Sequence, residues 1–282
     1  MLVKEVISFG ELELKKNQIL NAKLDSEILI SDLINIPRNS IFSQLNKKID
    51  EEIVSKFKQY IDRRVKKEPI AYIVKKKEFW SHDFYVNDSV LIPRPETEVL
   101  LDVLLSKINN KDKFLNILDI GTGSGCIIIS LLKELKKSKG LAIDKSKKAI
   151  EVAKKNAKFH SVNNRLNLQN ISFEDLFLGK KFDILVSNPP YLPDYLIKNL
   201  SSEIKYYEPK MALKGGTEGI DLLKKIIYLG SKILKRNGLL ALEIGDNQFR
   251  TIANYLSKNN FKLLTKYTLI NRQVRCVVAT II

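Results

Sequence analysis

A chain of 282 residues with 44% hydrophobic and 28% charged residues and a net charge of +16 has the composition of a folded globular protein, long enough for one large domain or two ordinary ones. No run approaches the roughly 18 unbroken apolar residues of a membrane span, and charges scattered through "MLVKEVISFGELELKKNQIL" argue against a secretory leader. Cys126 and Cys276, the only cysteines and far apart, exclude a disulfide framework or zinc ribbon and fit a reducing cytoplasm.

The charge is uneven. Residues 1–92 sum to +2 and the remainder to +14, yet 39 of the 48 basic residues are Lys, spread among many Ile and Asn. A basic C-terminal portion can attract nucleic acid or an acidic protein. This dispersal reads instead as a lysine-biased composition, not as an arginine-built phosphate reader.

Residues 1–76 read as short amphipathic helices. "DSEILISDLINI" has a potential Asp or Ser start and apolar spacings of three and four. "DEEIVSKFKQYIDRRVKK" opens with acids, closes with bases and keeps Ile53, Phe57 and Ile61 on one face. In "KEFWSHDFYVNDSVLIPRPETE" aromatic and β-branched residues alternate around polar pairs until Pro93 and Pro95, which predicts a hairpin. The expected organisation is a helical module over 1–76, a hairpin linker over 77–93 and a sheet domain over 94–282.

From about residue 114 strands and helices alternate. The predicted strands are "FLNILDIG", "GLAID", "RLNLQNI", "FDILVSN", "GLLALEIG", "FKLLTKYT" and "RCVVATII". "SKKAIEVAKKNAKFH" is a predicted helix with Ile150, Ala153 and Ala157 in register. Short apolar strands separated by helices imply a parallel sheet covered on both faces. Only "LINRQ" separates the last two, so they should pair antiparallel, giving an α/β sheet of seven strands.

"LDIGTGSGCIIISLL" sets Gly121, Thr122, Gly123, Ser124 and Gly125 between the first of these strands and its helix. Glycines there let the backbone turn tightly and approach a ligand. The nicotinamide fingerprint needs a further Gly where Cys126 stands; G-x-G-x-G is instead typical of S-adenosylmethionine sites. Asp144 ends the next strand, where an acid can bind ribose hydroxyls or cap the helix that follows. In "SFEDLF" Asp175 is placed to face an adenine amino group or to be a solvent-facing turn acid, and Leu176 to meet the adenine ring.

"SNPPY" closes the fourth strand, beside the first. The prolines lack N–H donors, fix their own φ and hold the residues before them extended. A planar NH₂ group is a poor nucleophile because its lone pair is delocalised. The Asn188 side-chain oxygen and the Pro189 carbonyl can accept both of its hydrogens, favour developing positive charge and aim the nitrogen, while Tyr191 offers a stacking face. The bland alternative is a rigid turn. His82 and His160 stand isolated in the sequence and read as surface or packing residues, and no metal-ligand cluster is visible.

Over essentially its full length the chain resembles the N(5)-glutamine methyltransferases of peptide chain release factors, the HemK/PrmC family. "EPIAYIVKKKEFWSHDFYVNDSVLIPRPETE", "LDIGTGSG", "SNPPY" and "YEPKMAL" followed by "GGTEGIDL" carry the resemblance. It implies a Rossmann-like class I methyltransferase sheet with a small N-terminal helical domain. It also implies S-adenosyl-L-methionine as cofactor and, as substrate, the glutamine of the Gly-Gly-Gln motif in class 1 release factors, in the service of translation termination. Gly121 to Gly125, Asp144, Leu176 and Asn188 would bind cofactor. Asn188, Pro189, Pro190 and Tyr191 would hold the glutamine, with Asn188, Pro189 and Tyr191 catalytic. Arg94, Glu203 and Glu208 would support conformation or substrate. The family usually has Gly where Lys75 stands, and often Trp where Leu176 stands.

An adenine-N6 DNA methyltransferase uses the same Asn-Pro-Pro-Tyr logic, but it flips its base and usually reads sequence through an added domain. The nearly neutral N-terminal module suits a protein partner better. A cofactor-binding scaffold without turnover is the non-enzymatic alternative, against which the intact SNPPY speaks. Neither a nucleic-acid substrate nor a membrane is expected.

Overall fold

The computed structural model describes residues 1–176, 179 and 181–282. The first elements in chain order are α1 (Val3–Lys16), α2 (Ala22–Leu33), α3 (Glu51–Val65), α4 (Ile70–Ile73), β1 (Lys76–Phe79) and β2 (His82–Tyr85). They are followed by α5 (Pro95–Leu105), β3 (Asn116–Ile120), α6 (Cys126–Glu134), β4 (Lys139–Ile143), α7 (Lys147–Phe159), β5 (Leu166–Gln169) and β6 (Phe182–Ser187). The last are α8 (Ser202–Tyr207), α9 (Asp221–Ile233), β7 (Leu234–Glu243), α10 (Phe249–Lys258), β8 (Phe261–Thr268) and β9 (Val274–Ile281).

Two compact units result, one of residues 1–76 with 201–207 and one of 77–200 with 208–282. In the first, Phe57 and Ile61 on α3 pack with Val6 and Leu14 on α1 and Leu29 and Ile30 on α2. Asp25 and Ser26 do not start α2 as their type suggested, since the helix begins at Ala22. Both are buried within it. Ser26 donates to the Ile7 carbonyl at 2.8 Å, and Asp25 accepts from Arg64 at 2.7 Å. Arg64 also pairs with Glu203 at 2.7 Å, so this buried guanidinium holds residues 201–207 in the unit.

The second unit is built on a seven-stranded sheet of order β5-β4-β3-β6-β7-β9-β8. All neighbours are parallel except those of β9, which runs antiparallel to β7 and β8. All seven strands predicted from residue 114 onward form. Strand β7 starts at Leu234, earlier than its apolar run indicates, across a register irregularity with β6. Alternate residues of β3 serve opposite faces, Leu118 and Ile120 packing with α9 and α10 residues, Ile117 with α5 and α6 residues. Phe79 and Phe84 of the β1–β2 hairpin are buried in that second cluster, so the hairpin shares the sheet unit's core. Its two-residue turn, Trp80 and Ser81, has φ of 52° and 56°, the mirror-image geometry that matches strand twist. Lys75, just before the hairpin, also sits at a positive φ of 56°, a conformation suited to glycine. Among the described residues no helix is long and apolar enough to cross a membrane.

Candidate active site

The parallel register fixes where the two sequence motifs meet. Ser187 at the end of β6 pairs with Ile120 at the end of β3, and its hydroxyl donates to the Ile120 carbonyl at 2.7 Å. The next residues of each strand, Asn188 and Gly121, therefore open onto the same space at the carboxyl edge of the sheet. That space is a cavity of about 600 Å³, within the range of small-ligand sites.

One wall is the loop Gly121–Gly125. Gly121, Gly123 and Gly125 all have positive φ, at 72°, 54° and 81°. A Cβ on Gly121 or Gly123 would meet nothing within 4 Å, so those two leave the cavity open, whereas one on Gly125 would press Ala153 of α7 at 3.3 Å. Asp119, fully buried below the loop, accepts from the Thr122 hydroxyl at 2.6 Å, while its other oxygen has no partner among the described residues. Desolvation pushes its carboxyl up to about 7, and the nearby Asp144 adds to the rise.

Asp144 does not cap α7; the Ser146 hydroxyl does, accepting from the Ala149 amide at 3.2 Å. Instead Asp144 accepts from the Gly123 amide at 3.0 Å and the Ser146 amide at 2.8 Å, bracing the glycine loop. Burial raises its pKa and those two bonds lower it. Each carboxylate oxygen keeps a further lone-pair direction for a ligand hydroxyl. Asn156 on α7, which carries no motif signal, ties this wall to the hairpin. Its amide donates to the Ser124 carbonyl at 2.8 Å and to the Tyr85 carbonyl at 2.9 Å.

At the next strand end the cavity is lined by Ile171 and Phe173. Leu176, expected against an adenine ring, is buried in the apolar cluster instead, and Asp175 is exposed. Phe173 lies in the short 3-10 turn Phe173–Asp175, whereas Leu176 follows that turn in extended backbone. Phe177, the last residue of that stretch, lies outside the described residues.

A second wall is Asn188, Pro189 and Pro190. The Asn188 amide donates to the Thr97 hydroxyl at 3.1 Å, and neither its Oδ1 nor the Pro189 carbonyl has a hydrogen-bond partner among the described residues. Thr97, on α5, in turn donates to Glu243 at 2.7 Å. The other Glu243 oxygen accepts from the Tyr191 hydroxyl at 3.0 Å, and Arg275 lies over the Tyr191 ring at 5.7 Å. Tyr191 is thus held down by its hydroxyl and is not among the residues that line the cavity, contrary to the stacking face expected of it. Burial drives its hydroxyl well above the ordinary range, with the Glu243 charge adding to it. Burial also raises the Glu243 carboxyl, against the bonds from Thr97 and Tyr191.

The "GGTEG" segment clamps this wall. The Gly215 amide donates to the Leu192 carbonyl at 2.8 Å, and Gly219, at φ +74°, lies where a Cβ would collide with the Tyr191 carbonyl. Gln248 donates to that same carbonyl at 2.9 Å. Arg94, a lining residue, pairs with the buried Glu208, which also accepts from the Ile92 amide at 3.3 Å. Glu203 belongs to the helical unit. The two histidines are not isolated in space. Their rings are 5.7 Å apart, and that of His160 packs against Phe84 with centroids 4.7 Å apart.

A glycine loop and a neighbouring strand-end cavity on a sheet of this order define a class I methyltransferase fold. Two solved structures share it: a methyltransferase from Pyrococcus furiosus (TM-score 0.53, 18% identity, covering 72% of this chain and 91% of that one) and a ribosomal-protein methylase from Lactobacillus delbrueckii subsp. bulgaricus (0.50, 21%, 66% and 79%).

The family models for the PrmC N-terminal domain and the methyltransferase small domain match residues 5–74 and 96–201. A release factor glutamine methyltransferase from Clostridium acetobutylicum is 38% identical over 241 residues, covering 84% of each chain. One from Geobacter sulfurreducens is 33% identical over 259 residues, covering 92% of this chain and 89% of its own. This chain belongs to the release factor glutamine methyltransferase family. It also matches a bifunctional methyltransferase from Rickettsia felis at 35% identity over 94% of its own length, yet spans only 55% of that relative.

Proposed function

We propose that this chain transfers a methyl group from S-adenosyl-L-methionine to the side-chain amide nitrogen of the Gly-Gly-Gln glutamine in class 1 release factors, in the cytoplasm. The observation that carries this reading is that Asn188 and Pro189 line the same cavity as the positive-φ glycine loop, with Asn188 Oδ1 and the Pro189 carbonyl without partners among the described residues.

The residues present fit the cofactor. Gly121 and Gly123 leave open the space that side chains would fill, Asp144 retains acceptor capacity, and Ile171 and Phe173 offer an apolar edge for a base. When bound, S-adenosylmethionine supplies an electrophilic methyl group on a sulfonium. Asn188 and Pro189 would accept the two amide hydrogens of the glutamine. That orients its nitrogen and stabilises the positive charge that grows on it. Proline on both sides of the peptide keeps the Pro189 carbonyl from turning away. Arg94 and Glu208 brace the cavity edge, and the small helical unit serves as the docking module for the release factor.

Mass spectrometry of release factor after incubation with the protein and cofactor tests this. The Gly-Gly-Gln peptide is expected to gain the mass of a single CH₂ unit, one methyl replacing one hydrogen. Labelling of adenine in duplex DNA, with no gain on release factor, would transfer the function to nucleic acid.

A further inference from the structure

The acceptor role of Asn188 needs its amide to face one way only. A side-chain amide can flip, and a flipped Asn188 would present N–H donors to a substrate amide whose own N–H groups need acceptors. The chain contains what prevents the flip. Glu243 ends β7, beside β6, because Leu242 pairs with Ser187 across the two strands. Its carboxylate is 1% exposed, and its two oxygens accept from two hydroxyls, Thr97 at 2.7 Å and Tyr191 at 3.0 Å. A hydroxyl has one hydrogen. With that hydrogen given to Glu243, the Thr97 oxygen can only accept, and it accepts the Asn188 amide at 3.1 Å. Asn188 Oδ1 is thereby directed away from Thr97.

We propose that Glu243 is a positioning residue for methyl transfer, fixing the polarity of Asn188 through Thr97 and anchoring the other end of the same motif through Tyr191. The inference rests on the amide-methylating reading of this site. It explains why a carboxylate with no place in the cavity lining stands buried behind the Asn-Pro-Pro-Tyr segment. It also explains why Thr, rather than an apolar residue of equal size, occupies a buried position 3% exposed on α5. Arg275 offsets part of the buried charge from the far side of Tyr191, with its own guanidinium 3.4 Å from the Tyr191 hydroxyl.

Thr97→Val keeps the shape and removes the hydroxyl; Thr97→Ser keeps the hydroxyl. Single-turnover transfer to release factor at saturating cofactor should fall about 10- to 100-fold in Thr97→Val, the scale of a misplaced reacting group. Cofactor affinity should be unchanged, and Thr97→Ser should recover most of the rate. In an Asn188→Ala background the same Thr97→Val change should add almost nothing, because the two residues act as one unit. A folded Thr97→Val protein with wild-type rate, or full additivity with Asn188→Ala, overturns the proposal.

A second measurement needs no substrate. The ¹⁵N side-chain amide signal of Asn188, assigned by its loss in Asn188→Ala, should exchange slowly in the wild type and at least ~10-fold faster in Thr97→Val and Glu243→Leu. Equal exchange in all three overturns the positioning role. Slow wild-type exchange released by either substitution, in a protein that leaves release factor unmodified, supports the positioning role and rejects the substrate.

Discussion

The two walls of the cavity are made of different material. The glycine wall is backbone: three positive-φ glycines in five residues, with one carboxylate from the adjacent strand end holding a loop amide. The Asn-Pro-Pro wall is a side chain and a carbonyl aimed by other side chains, drawn from α5, β7 and β9. A backbone wall is specified locally, because glycine alone relieves the strain of those φ values. A side-chain wall has to be assembled from distant elements, and its polarity exists only when each hydrogen bond in the relay is present.

Breaking the side-chain wall should have the largest effect. Asn188→Ala is expected to cost about 3–4 kcal/mol in the transition state, a hundred- to thousandfold at about 1.4 kcal/mol per decade. Asn188→Asp, which keeps an acceptor of the same shape, should retain more activity. Single-turnover rates alongside melting curves check this, and near wild-type transfer by a folded Ala variant would remove Asn188 from the chemistry.

The glycine wall carries a cost that pH can expose. Asp119 has its pKa raised from 3.8 to about 7, so the native state holds that proton more tightly than the unfolded chain. Its stabilising contribution is complete below pH 3.8 and is lost as the pH rises to about 7. Asp119→Asn removes this dependence. Between pH 4 and 7.5, wild-type stability should fall relative to the variant by on the order of 2–4 kcal/mol, read from urea unfolding at each pH. Parallel profiles would show that Asp119 titrates alike in both states.

Asp144 links the loop to a ligand, so its removal should show in binding. Asp144→Ala should weaken S-adenosylmethionine by about 1–3 kcal/mol, because the Gly123 amide and the ligand hydroxyls lose their acceptor. Unchanged affinity by calorimetry, in a folded variant, would leave Asp144 as a loop brace alone.

The smallest effect lies outside both walls. Lys75→Gly relieves a left-handed non-glycine residue at a cost in unfolded-chain entropy, for a net gain of about 0.5–1 kcal/mol. A lower melting temperature in Lys75→Gly would mean that the Lys side chain contributes more than the backbone strain costs.

The same division explains what could be read in advance. The seven strands, the parallel character of the sheet and the antiparallel last pair followed from apolar runs and link lengths, whereas the order of the strands in the sheet did not. Asn188 and Gly121 share a cavity because the parallel pairing of β3 with β6 sets the carboxyl ends of these two strands side by side. Asp25 and Arg64 looked like a helix start and a helix-end base, yet they form a buried pair, because a charge's partner across space leaves no trace in local spacing. Phe173 rather than Leu176 lines the cavity: the two stand three positions apart, Phe173 inside the short 3-10 turn and Leu176 just past it in extended backbone, a break that apolar spacing does not show. Asn156, Glu243 and Gln248 carried no signal. The nearest hint was an acid and an amide at the end of an otherwise apolar strand, in "LLALEIGDNQ".

The sequence by itself determined the α/β class, the glycine loop, the acid after the next strand and the rigid Asn-Pro-Pro segment, because each depends on residue type and on neighbours a few positions away. Only the tertiary structure decided that Asp144 braces Gly123 instead of capping α7, that the Tyr191 hydroxyl is tied to Glu243, and that the Asn188 amide nitrogen is committed to Thr97. Those outcomes are directions of hydrogen bonds between residues as much as 146 positions apart in the chain. Such directions are set when buried polar groups must satisfy one another, and that happens only once the sheet has brought them together.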